Sequence, residues 1–174
     1  MDHLFYLRKA IEVSKKSREH GNTPFGAILV DGEGNILLEQ ENIEITESNC
    51  SGHAETSLMI KASKKYSKDF LWNCTLYSTA EPCAMCAGAI YWGNVGKVVY
   101  GISEKRLLEL TGDDEQNPTF DLPLPITNSN LPVLFIFNLV FNEANHALPL
   151  GSVAMKFILA KRFLSTSCIV LARF

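Results

Sequence analysis

Two short clusters, His53-Ala54-Glu55 and Pro82-Cys83-Ala84-Met85-Cys86, constrain this chain more than any other feature. One imidazole and two thiols are donors that zinc takes in tetrahedral sites. Cysteines three apart at a helix start project to the same side, and a helix N-terminus favours their thiolate forms. Pro82 suits such a start. His53, Cys83 and Cys86 as ligands would leave one corner of a tetrahedron open, the pattern of a reactive zinc rather than a structural one. Zinc lowers the pKa of a bound water to roughly 7. If His53 opens the other helix, Glu55 can sit over that water without ligating and take its proton. Two bland readings stand beside this one. A structural zinc would recruit Cys50 or Cys74 as a fourth ligand. A thioredoxin-like redox pair is the other meaning of Cys-x-x-Cys, against which the His-x-Glu cluster and the proline both count.

Around these clusters the chain alternates helix and strand signals. Leu4, Leu7, Ile11 and Ser14 follow a helical spacing that should stop near His20-Gly21. Phe25–Val30 reads as a buried strand, Asp31–Asn35 as a turn and Ile36–Gln40 as the returning strand of a hairpin. A helix is expected from about Gly52 to Ala62, a strand at Cys74–Ser78, a helix from Pro82 to about Trp92, a strand at Lys97–Tyr100 and a short helix at Glu104–Leu110. That alternation predicts a three-layer α/β/α sandwich.

His-x-Glu followed by Pro-Cys-x-x-Cys resembles the zinc-dependent cytidine deaminase superfamily. The likeness runs over about residues 1–121. It extends to Pro24–Ala27, Thr75–Tyr77, Glu81–Cys83, Met85–Ile90 and Val98–Gly101. Its nearest branch holds guanine deaminases, tRNA adenosine deaminases and fungal-type cytosine deaminases. The resemblance implies a central five-stranded mixed sheet between helices, one Zn2+ per chain, a homodimer, and hydrolytic loss of ammonia from an aminated nucleobase or nucleoside. It implies ligands His53, Cys83 and Cys86 and a proton-shuttling Glu55. It further implies substrate contacts from Asn42, from Phe25, Gly26 and Ala27, from Ala54 beside the metal, from Trp92, and from Asp114. Guanine or guanosine is the first substrate expected, from Ala89–Trp92 and the acidic charge. The alternatives are adenosine in tRNA and an inactive zinc-binding subunit or isoform of a deaminase.

Charge and composition set the remaining bounds. The chain is 47% apolar with a net charge of −3, which disfavours bulk electrostatic binding to nucleic acid. Five cysteines in 174 residues are too few for a disulfide scaffold, and the charged N-terminus lacks a signal-peptide core, so a reducing, cytoplasmic setting is expected. Residues 1–121 hold 12 Lys and Arg against 18 Asp and Glu, whereas residues 122–174 hold only four and one. We therefore place a boundary at Asp121–Pro125. It separates a deaminase domain, 1–121, from an atypical apolar C-terminal segment, 122–174, of unrecognised type. No uncharged apolar run there reaches the roughly 20 residues of a membrane span, and no membrane partner is expected. The segment reads as a core cover, as a partner-facing or interfacial segment, or, the preferred reading, as an altered reading frame. Lys61, Lys64, Lys65 and Lys68 read as a solvated face, with tRNA contact as the minority reading. Tyr91 and Trp92 divide evenly between pocket and core, Asn42 could equally be a turn residue, and Cys50, Cys74 and Cys168 read as packing residues. His3, His20 and His146 read as surface residues without a role.

Overall fold

The structure, a computed structural model, describes residues 1–112 in full and residues 133–135 as backbone. Asp114, the boundary at 121–125, His146 and Cys168 lie outside the described residues.

Helix α1, His3–Glu19, buries Tyr6, Leu7, Ala10, Val13, Ser14 and Ser17. That spacing of three and four places one stripe against the sheet. Asp2 caps the helix by accepting from the Phe5 N–H at 3.1 Å. Strand β1, Gly26–Val30, is buried throughout, and β2, Ile36–Glu41, returns antiparallel to it. The turn between them is tied by Asp31, whose carboxylate accepts from the Glu33 N–H, the Asn35 N–H and the Asn35 amide. Helix α2, Ala54–Lys65, leads into α3, Lys68–Trp72, and then into strand β3, Thr75–Ala80. Helix α4, Ala84–Gly93, crosses to strand β4, Lys97–Ile102, and helix α5, Glu104–Thr111, follows. Residues 133–135, beyond the expected boundary, lie parallel to β4 as strand β5.

The sheet order is β2-β1-β3-β4-β5, with β1 antiparallel to both neighbours and β3, β4 and β5 parallel. Period-two alternation divides the central strands between two cores. Ile28, Val30, Tyr77 and Val99 face α1 with Tyr6, Leu7 and Val13. Ala27, Leu29, Leu76, Val98 and Tyr100 face the opposite side with Ala54, Leu58, Met59 and Ala62 of α2 and Ile90 of α4. The layers are therefore α/β/α, as the alternation predicts. Strand β3 is buried at all six positions because helices cover both its faces.

Two sequence readings need correcting, and one element, helix α3, was not foreseen; its Ser67 N-cap accepts from the Phe70 N–H at 3.3 Å. His3 is not a role-free surface residue, since its Nδ1 lies 2.8 Å from the Tyr77 hydroxyl and ties the start of α1 to β3. Cys50 is exposed and packs into no core, whereas Cys74 is buried as expected.

Candidate metal centre and active site

The two clusters meet because each begins a helix on the same face of the sheet. His53 is the N-cap residue of α2, and Cys83 is the N-cap residue of α4. Neither side chain caps its own helix, so both remain available to a third party. Cys86 lies three residues into α4, which returns its thiol to the side of Cys83. The His53 Nδ1 stands 3.6 Å from the Cys83 Sγ and 3.6 Å from the Cys86 Sγ. All three donor atoms lie within 4.8 Å of one another.

That geometry tests whether zinc fits. Zinc–sulfur and zinc–nitrogen bonds of about 2.3 and 2.05 Å at tetrahedral angles put nitrogen and sulfur about 3.6 Å apart. The two observed nitrogen–sulfur separations match that value. The donor set is equally apt, one imidazole nitrogen and two thiols at the positive ends of two helices. Around it, the Thr56 hydroxyl donates to the Cys86 Sγ at 3.3 Å, giving the sulfur an outer hydrogen bond.

Hydrogen bonding from Cys86, then from His53, holds the Cys83 thiol well below its ordinary range. Cys86, which shares its proton with Cys83, is pushed up by that hydrogen bond and by burial. The bond to Cys83 raises the His53 imidazole despite its burial. Glu55 is buried and its carboxyl is raised by desolvation, partly offset by the Ser78 hydroxyl. Its Oε1 accepts from the Ser78 hydroxyl, and its Oε2 lies 3.4 Å from the Cys86 Sγ. Glu55 is not itself a member of the three-donor group.

The other expected site residues are distributed unevenly. Ala54 is fully buried at the first turn of α2, between His53 and Glu55. Asn42 is buried just past β2. Its Oδ1 accepts from the Glu44 N–H at 2.8 Å, its N–H donates to the Phe25 carbonyl at 3.1 Å, and Glu44 in turn acts electrostatically on His53. The turn role of Asn42 is thus real. Phe25 is half-buried and joined to Asn42 through that bond. Gly26 has a packing reason of its own, because a Cβ there would meet Ser14 N at 2.6 Å and Ala10 O at 2.7 Å of α1. Ala27 is fully buried beside Ser78 in register. Trp92 is not gathered with the ligands. It ends α4, nine residues past Cys83 and so about 13 Å along the axis, and is 73% exposed against Tyr91 in a T-shaped pair.

Two further groups face the site. Ser78 is fully buried on β3, where Thr75 and Thr79 are buried polar residues as well, so nothing in the sequence of the strand singles it out. Glu104 opens α5, where its N–H donates to Glu81 Oε2 at 3.0 Å. Burial first, then the charges of Cys83, Glu81 and Glu55, push its carboxyl up to about 7. No motif marks Glu104, which is brought in by the β4–α5 turn.

The comparisons agree with this geometry. The profile of the cytidine and deoxycytidylate deaminase zinc-binding region matches residues 1–102. A probable cytosine deaminase of Schizosaccharomyces pombe is 38% identical over 115 residues, 66% of this chain and 69% of that one. A tRNA-specific adenosine deaminase of Haemophilus influenzae is 40% identical over 100 residues, 58% of each chain, so the likeness spans little more than half of that enzyme. The guanine deaminase of Bacillus subtilis is 35% identical over 115 residues, 66% of this chain and 73% of that one. Its solved structure superimposes with a TM-score of 0.58 at 31% identity, covering 76% of this chain and 88% of that one. With the ligand triangle, the carboxylate beside it and the layered fold all in place, the chain belongs to the zinc-dependent cytidine and deoxycytidylate deaminase family.

Proposed function

We propose that this chain is a hydrolytic deaminase of a free aminated base or its nucleoside, with guanine or guanosine as first candidate and cytosine beside it. The single observation that carries the reaction is the placement of Glu55. Its carboxylate is buried, anchored by one oxygen and turned by the other toward the ligand triangle. The preference for a small substrate rests on the extent of the likenesses. Those to the cytosine and guanine deaminases cover 115 residues each, and that to the Haemophilus tRNA enzyme covers 100.

His53, Cys83 and Cys86 would hold the zinc, which when bound supplies a Lewis acid that makes water a nucleophile at neutral pH. Glu55 takes a proton from the attacking water as oxygen adds to the carbon bearing the amino group. It hands that proton to the adjacent ring nitrogen, then takes the remaining proton of the added hydroxyl and delivers it to the departing nitrogen. Ammonia leaves and a carbonyl remains, so atoms and charge balance. Burial suits Glu55 to this traffic, because a carboxyl raised above its ordinary value holds a proton more readily than an exposed one. Phe25, Ala27, Ala54 and Asn42 are proposed as the walls and the polar contact of the base pocket, and Asp114 as a contact to a purine amino group. The chain is further proposed to act as a homodimer, joined where Met85, Tyr91 and Trp92 leave one side of α4 apolar and exposed.

The test is ammonia release by zinc-loaded protein from guanine, guanosine, adenine, cytosine, cytidine and an anticodon stem-loop, with Glu55→Ala as control. Turnover of one of the small substrates, lost in the control, is the expected result. Turnover of the stem-loop alone, falling steeply with salt as phosphate contacts require, would replace this reading with tRNA adenosine deamination. Zinc binding without any turnover would point to an inactive subunit.

A further inference from the structure

Glu55 faces two competing fates. Its Oε2 is 3.4 Å from the Cys86 Sγ. Ligands of one tetrahedral zinc stand about 3.6 Å apart when one is sulfur and the other oxygen. A carboxylate so close to one ligand is near enough to become a fourth, which would close the corner the reaction needs. It is also attached through a side chain with three rotatable bonds, for which α2 itself supplies the Glu55 backbone N–H as a partner. The hydrogen bond that holds its other oxygen comes from the Ser78 hydroxyl.

Ser78 is well built for that task. It is fully buried on β3, on the strand face covered by α2 and α4. Its register partners are Ala27 on β1 and Tyr100 on β4. Ala27 offers no polar side chain, and the Tyr100 hydroxyl interacts electrostatically with Glu81. The one proton of the Ser78 hydroxyl is therefore committed to Glu55 Oε1. Its strand is also a firm mounting, since β3 is paired on both edges.

We propose that Ser78 is a positioning residue that pins Glu55 by one oxygen. It keeps the carboxylate beside the metal ligands as a base and prevents it from joining them as a fourth. The kinetic arm of the test rests on the deaminase reading above; the spectroscopic arm does not. Zinc-loaded wild type, Ser78→Ala and Ser78→Thr are compared for kcat, KM and zinc content. The same proteins carrying glutamate labelled with 13C at the carboxyl carbon are examined by NMR, the Glu55 resonance being the one lost in Glu55→Gln.

Loss of a hydrogen bond to a charged group should lower kcat by about ten- to hundredfold in Ser78→Ala, with KM changed by no more than about twofold. One zinc per chain should remain, and Ser78→Thr should restore kcat. The Glu55 resonance should move in the alanine variant and return in the threonine variant. A kcat within about twofold of wild type in Ser78→Ala, or an unmoved Glu55 resonance, overturns the proposal. If wild type turns over no base, the deaminase reading falls and the resonance alone decides the role of Ser78. If Ser78→Ala does not fold, Ser78→Thr and Ser78→Val, alike in shape and differing in the hydroxyl, decide it. Threonine active or native in its resonance with valine altered supports the pin, and two equal variants overturn it.

Discussion

At the scale of single residues, Glu55 is costly to keep and cannot be replaced by a neutral group without consequence. A buried carboxylate is held in place only by partners, here Ser78 on one oxygen and the metal-ligand side on the other. Glu55→Gln preserves shape and removes the proton acceptor. We expect turnover to fall by about 10²–10⁴-fold with zinc retained, measured by ammonia release and metal analysis of one preparation. Gly26 has a different physics. A methyl at that position meets two backbone atoms of α1, neither able to swing aside. Gly26→Ala should therefore destabilise the fold by about 1–3 kcal/mol in urea unfolding, even with a fully occupied metal site. A stable variant with altered substrate preference would restore the pocket role that the resemblance implies for Gly26.

Elements decide which of these residues were legible in advance. The ligand set could be read from sequence because its spacing is local: Cys83 and Cys86 share one helix turn, and His53 and Glu55 share another. Helices α1, α2, α4 and α5, the hairpin and the burial of β1 followed from periodicity and turn residues for the same reason. Ser78 could not be assigned, because its partner lies 23 positions away and only the packing of α2 on β3 brings them together. Trp92, divided evenly between pocket and core in the sequence, is 73% exposed and so belongs to no core of the chain. Helix α3 escaped notice because five residues carry too little periodic signal. The β1–β2 turn shows how local chemistry fixes an element and how pH loosens it. Bonds from Asn35, side chain first and then backbone, hold the Asp31 carboxyl below its ordinary value of 3.8. A depressed folded-state pKa means stabilisation that is present above the unfolded value and lost as pH falls through the folded one. Asp31→Ala should thus lower the urea midpoint at pH 7, and the gap to wild type should close as the solution is acidified below the Asp31 pKa. A gap independent of pH would assign the turn to Asn35 alone.

For the molecule as a whole, zinc links metal supply to stability. A ligand that binds only the folded state at a thousandfold above its dissociation constant adds about 4 kcal/mol. Chelation should lower the melting temperature, and equimolar zinc should restore it; a curve indifferent to metal would mean that the folded chain does not bind zinc in preference to the unfolded one. Assembly is tested separately. Trp92→Glu places a charge on the apolar side of α4, and sedimentation should then report a monomer where wild type gives a dimer. No helix among the described residues is long and apolar enough to cross a membrane.

The two ligand clusters sit at the starts of different helices, and this has a kinetic corollary. A metal bridging α2 and α4 is released only when those two helix starts part, because either cluster alone lacks a full donor set. Transfer of zinc to a strong competitor should therefore speed up with competitor only to a plateau, and the plateau rate is the frequency at which the helices breathe apart. In that limit the departing ion acts as a clock for the opening of the fold around its own reactive centre.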